Sequence, residues 1–145
     1  MITQRAQAHW QGGLKDGAGS FRAGSVAGRY SYSSRFEGGS GSTPEELIGA
    51  AHASCFSMAL ALVLGEHGLS PVAIDTTATV YLDPDRLAIR RIELETEAEV
   101  PAVSDSVFQS CAETAKENCP VSKALSGVEI LLKSSKLTEV PVERA

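Results

Sequence analysis

Eighteen consecutive residues, Leu47 to Leu64, carry no charge, and this run constrains the chain more than anything else in it. Thr43-Pro44-Glu45-Glu46 stands just before the run. It has the form of a capping box with proline at the first helical position. Gly65 and Gly68 mark the far end. Apolar residues fall on every face of the helix this predicts, and such a helix is normally covered all round. The length is also at the threshold for a membrane span. Against a span stand His52, Ser54 and Ser57, the abundance of alanine, and a chain that is otherwise ordinary in polarity. The reading that follows is a central helix too apolar for one small chain to cover. A dimer sharing its core is expected, with no membrane.

A single domain over residues 1–145 has the size for a real core, since a chain of about 150 residues buries roughly two-thirds of its unfolded surface. The 43% apolar and 21% charged fractions are those of a globular protein. Net charge is −5 and the densest positive spot is Arg90-Arg91, which speaks against nucleic-acid binding. Residues 1–10 lack the apolar core of a signal peptide. Three cysteines without finger spacing argue against a disulfide framework and for a reducing, cytoplasmic setting.

Alternation predicts strands at Gln4–Trp10, Ser20–Ala23 and Arg29–Phe36, forming an antiparallel meander with glycine-rich turns. Gly38-Gly39-Ser40-Gly41-Ser42 is a flexible loop into the long helix, without a phosphate-loop pattern. After the helix, Val72 to Leu82 alternates, Asp83-Pro84-Asp85 turns, and the return strand sets Ile92, Leu94, Ala98 and Val100 opposite Arg91, Glu93, Glu95, Glu97 and Glu99. Those carboxylates repel one another and form a solvated face. From Ser104 a second helix aligns Val107, Phe108, Cys111, Ala112 and Ala115. Cys119-Pro120 opens a short turn to Leu125, and Val128, Ile130 and Leu132 mark a last strand. The class is α+β with mostly antiparallel sheets.

The residues alone offer little chemistry. No nucleophile-elbow serine is present. His52 and Cys55 are three apart on one helix, but two ligands do not make a metal site. Cys55 on an apolar helix is ordinarily a packing residue. Cys119 is more suggestive, because the start of a helical turn favours thiolate. Redox chemistry and a purely structural role both remain open at this level.

Two segments resolve that choice by likeness. Thr43-Pro44-Glu45-Glu46-Leu47-Ile48-Gly49-Ala50-Ala51-His52-Ala53-Ser54-Cys55-Phe56-Ser57-Met58 resembles the signature of the osmotically inducible protein C / organic hydroperoxide resistance (OsmC/Ohr) family. Asn118-Cys119-Pro120-Val121-Ser122-Lys123 is similar to its second cysteine segment. Ala8-His9-Trp10 and Ser34-Arg35-Phe36-Glu37-Gly38 extend the likeness over nearly the whole chain, and Gly49-Ala50-Ala51-His52-Ala53 with Val121-Ser122 resembles the osmotically inducible branch. Ser54 and the additional Cys111 depart from the pattern.

The resemblance implies a cysteine peroxidase of stress defence that reduces organic hydroperoxides and also hydrogen peroxide. It implies an intertwined homodimer, with sheets wrapped around long central helices. Cys55 would be peroxidatic and Cys119 resolving, with Arg35 stabilising the thiolate and Glu45 fixing Arg35. It implies no metal and no organic cofactor, only an external thiol or dithiol reductant. The physics agrees: a thiol with a pKa near 8.5 is only a few per cent thiolate at neutral pH, and burial lowers that fraction. Cys55 therefore needs a cation. Glu45 lies ten residues before Cys55, about 15 Å along a helix axis, so the simplest composite site takes Arg35 and Glu45 from the partner. A helix break near Gly49 is the way out of that argument. The rival readings are a redox sensor and a dimer that binds a hydrophobic ligand in its seam.

Overall fold

In the computed structural model, residues 1–138 are described. They fall into two compact units that divide between Leu47 and Ile48. In the first unit β1 (Ala6–Gln11), β2 (Ala18–Ala23) and β3 (Val26–Tyr30) form an antiparallel sheet in that order. The turn between β2 and β3 is Gly24-Ser25, where Gly24 has φ +61°, a conformation glycine adopts without strain. Gly19 is required for a different reason. A Cβ there would lie 2.5 Å from the Tyr30 ring and 2.8 Å from that of Trp10.

The predicted strand Arg29–Phe36 is corrected. It ends at Tyr30, and Tyr32–Phe36 is a short helix, α1. Ser31 and Ser34 decide this, since each side chain takes the other's backbone N–H, at 2.9 and 3.0 Å. That reciprocal cap satisfies the donors a helix start leaves over. The Ser34 hydroxyl also donates to the Ser42 carbonyl at 2.9 Å, tying α1 to the glycine-rich loop.

The long helix α2 runs unbroken over Pro44–Glu66, through Gly49. Thr43 Oγ1 accepts from the Glu46 N–H at 3.0 Å, as the capping pattern predicts. From Ile48 onward the helix belongs to the second unit. There β4 (Ala73–Asp83) and β5 (Ala88–Glu99) pair antiparallel. β6 (Glu129–Leu137) lies parallel to β5. A parallel neighbour needs a crossover, and α3 (Asp105–Asn118) and α4 (Pro120–Ala124) form it.

The core of this unit gathers Phe56, Leu60 and Leu64 of α2, Ile92, Leu94 and Ala98 of β5, and Phe108, Cys111, Ala112 and Ala115 of α3. Val107 was expected on that stripe but is 37% exposed. Its neighbour Phe108 takes the inward position. One face of α2 is thus buried. The other carries Met58 and Leu62, 76% and 66% exposed, so the apolar excess read from the sequence stands uncovered on the single chain. By length and composition α2 would also suffice to cross a membrane, but its inner face is core.

Candidate active site

Arg35 and Glu45 meet in the first unit. The α1 cap and the Ser34 link to Ser42 hold the short helix against the loop that leads to α2. Arg35 Nε donates to Glu45 Oε1 at 3.0 Å and to Oε2 at 3.2 Å, and Nη2 donates to Oε1 at 2.6 Å. This is a forked pair, which fixes direction as well as charge. Glu45 is buried, and it sits in the first turn of α2, where a carboxylate is favoured by the helix dipole. The Nη1 edge of the guanidinium lies outside the pair. The Phe36 ring flanks it, 5.4 Å from the guanidinium carbon.

Cys55 and Cys119 meet in the second unit. Cys119 ends α3, its N–H donating to the Ala115 carbonyl at 2.9 Å, and begins α4, its carbonyl accepting from Lys123 at 3.0 Å. Its side chain is fully enclosed, whereas Cys55 on α2 is half-buried. Burial pushes the Cys55 thiol up from its ordinary value, and the neighbouring Cys119 thiol pushes it the same way. The Val121 backbone N–H opposes them by stabilising the thiolate. The expected benefit of the helical turn therefore goes to a different sulfur. Cys119 makes no side-chain cap bond, and the first-turn N–H that meets a thiol meets that of Cys55.

His52, weighed with Cys55 as a metal-ligand pair, has another partner. Its Nε2 lies 2.8 Å from Ser122 Oγ, with both residues buried. Nothing in the sequence signals that contact, which joins positions seventy apart. Cys111 packs on the inner stripe of α3, and its Sγ is 3.8 Å from His67 Nδ1. Burial raises its thiol pKa too. Among the described residues no three His, Cys, Asp or Glu side chains are grouped to hold a metal ion.

Of the four residues assigned by likeness, the structure thus forms two pairs, Arg35 with Glu45 and Cys55 with Cys119. Such an arrangement can do two things. The guanidinium can bind an oxygen anion or a polarised O–O group, and the thiol pair can cycle to a disulfide.

The pattern of the OsmC-like protein family matches residues 37–133. The chain is 49% identical over 129 residues to Peroxiredoxin OsmC of Escherichia coli K12, covering 86% of this chain and 90% of that one. It is 34% identical over 89 residues to Organic hydroperoxide resistance protein-like 1 of Staphylococcus saprophyticus, covering 60% and 63%. The solved OsmC-like protein of Mycoplasma pneumoniae shares the fold, with a TM-score of 0.74 at 14% identity over 94% of this chain and 99% of that one. An organic hydroperoxide resistance protein from Elizabethkingia anophelis gives 0.68 at 25% identity, over 96% and 98%. With its family pattern, its near relative and its α+β fold in agreement, the chain belongs to the OsmC-like protein family.

Proposed function

We infer that the chain is a thiol-dependent peroxidase that reduces organic hydroperoxides, with Cys55 as the attacking sulfur and Cys119 as the resolving one. The observation that carries this is that the two thiols are near enough, across α2 and the start of α4, for Cys119 to act on the titration of Cys55. The Cys55 thiolate attacks the outer peroxide oxygen and the O–O bond breaks. The alkoxide leaves and takes a proton to become an alcohol, while the sulfur is oxidised to a sulfenic acid. The Cys119 sulfur then attacks, the S–O bond breaks, and hydroxide leaves as water with the thiol's proton. An external thiol or dithiol returns the disulfide to two thiols. A reducing cytoplasm would keep that supply available.

The first step needs a cation, because burial and Cys119 both hold Cys55 in its neutral form. Arg35 is our choice, aimed by Glu45. Its planar fork can keep Glu45 on one edge and donate to a peroxide oxygen from the other. Glu45 precedes Cys55 by ten residues, a spacing that amounts to about 15 Å along any continuous helix. We therefore assign the cation to a second copy of the chain. The exposed Met58 and Leu62 support the same dimer, since water-facing apolar stripes of this kind are usually covered. The apolar surroundings favour alkyl hydroperoxides over hydrogen peroxide.

The test is turnover. With a dithiol in excess, the protein should consume many equivalents of cumene hydroperoxide per chain. Consumption that stops at one equivalent would make it a redox sensor instead, and none at all would leave a ligand-binding dimer.

A further inference from the structure

His52 is completely enclosed. Its Nε2 meets Ser122 Oγ at 2.8 Å, and its Nδ1 has no hydrogen-bond partner among the described residues. The neutral ring is therefore best carried with the proton on Nε2, donating to Ser122. The other tautomer would bury an N–H with no acceptor, the more expensive arrangement. Burial also lowers the His52 pKa, which keeps the ring neutral.

The position of this hydrogen bond is what gives it meaning. Cys55 is three residues after His52 on α2, and Cys119 is three residues before Ser122. The two contacts form adjacent rungs between the same two segments, with the chains running in opposite directions. Ser122 is moreover the buried residue of α4, a helix of five residues. A short helix would ordinarily bury an apolar side chain there. Here its inward anchor is a directional polar bond, which fixes position more narrowly than apolar contact does.

We propose that the His52–Ser122 hydrogen bond is a positioning device for the resolving step, holding the first turn of α4 so that Cys119 stays against Cys55 while Cys55 is a sulfenic acid. This rests on the roles given above to the two cysteines. A sulfenic acid has two fates. It condenses with a thiol, losing water, or a second peroxide oxidises it to sulfinic acid and is itself reduced to alcohol. His52 and Ser122 touch neither reacting oxygen nor the external reductant. Their effect should appear only in how the sulfenic acid partitions.

The experiment follows the partition in the full-length protein. Reduced enzyme is mixed with rising cumene hydroperoxide, and the disulfide and sulfinic forms are counted by intact-mass spectrometry. The rate of sulfenic acid formation is measured separately by stopped flow. Ser122→Ala should leave that first rate unchanged and lower the peroxide concentration giving half sulfinic acid by about fivefold, the worth of one ordinary hydrogen bond. Ser122→Thr keeps the hydroxyl and should partition like the wild type. His52→Asn, too short to reach Ser122, is an independent route to the same loss should Ser122→Ala fail to fold. In a folded double variant the two effects should not add. A role in stability alone would lower the melting temperature with the partition unmoved, and that result in either folded variant overturns the proposal. Cys119→Ser is the separate control. If it still formed an internal disulfide, the assignment of Cys119 would fall, whatever Ser122 does.

Discussion

Glu45 grips Arg35 by its Nε and one Nη, with the shortest contact at 2.6 Å, and so leaves one edge of a fixed guanidinium to face something else. Charge alone would not need this geometry. Arg35→Lys retains the cation and loses the fork, and should lower kcat/KM by about tenfold or more. Glu45→Gln should fall between Arg35→Lys and the wild type. Equal activity of Arg35→Lys and wild type in the dithiol-coupled assay would mean that direction is irrelevant.

The disulfide should join Cys55 to Cys119. One equivalent of peroxide, followed by peptide mapping, is expected to find that bond within one chain. Cys111 should remain free, held in the core between Phe108 and Ala115. Cys55→Ser should abolish turnover with the fold retained. A Cys55–Cys111 peptide would reverse the roles of the two remaining cysteines.

Complementation tests the proposal that the site is shared between two chains. Arg35→Ala and Cys55→Ser chains, each inactive alone, are mixed and their dimers reshuffled. The mixed dimer then holds one site with both groups intact. Activity should return in proportion to mixed dimers counted by native mass spectrometry. Mixed dimers without activity would place each site within a single chain.

Met58 and Leu62 give a cruder handle on the proposed interface. Met58→Asp or Leu62→Asp should shift the protein to monomers in sedimentation and remove activity. Leu60→Ala, about half a turn away and so on the buried face, should instead cost about 2–5 kcal/mol of stability.

Acid should weaken the fold through His52. Its pKa is lowered by burial, so in the window below the ordinary value of about 6.5 the unfolded chain binds a proton that the folded one refuses. Stability is therefore full above that window and declines as pH falls through it. Urea midpoints between about pH 5 and 7.5 should show the slope, and His52→Gln should flatten it. The cysteine side has the opposite sense. Burial raises the Cys55 thiol, and the cation proposed for it should offset that rise, so thiolate absorbance should appear at higher pH in Arg35→Ala than in the wild type.

What the sequence disclosed was whatever has a local signature. β5 declares itself by strict alternation, and α2 by Thr43, Pro44 and a run without charge. α1 was hidden because Tyr30, Ser31, Tyr32 and Ser33 alternate like a strand, while the serine pair that closes the helix is a reciprocal contact and not a pattern. The site divides the same way. Arg35 and Glu45 are close in sequence on either side of a glycine-rich loop. The meeting of Cys55 with Cys119 is tertiary, and only family likeness foretold it. The pairing of His52 with Ser122 had no signal of either kind.

The seam between α3 and α4 has its own consequence. At Cys119 one helix stops and the next starts, and the following residue, Pro120, has no N–H to lose. With α4 held by the His52–Ser122 bond, a small shift of the Cys119 sulfur has no Pro120 amide bond to break. Oxidation should then be a local event. In amide exchange, reduced and oxidised protein should differ over residues 119–125 while β5, carrying much of the core, exchanges alike in both. A joint of this kind would confine the proposed making and breaking of a disulfide to a few residues and spare the scaffold around it.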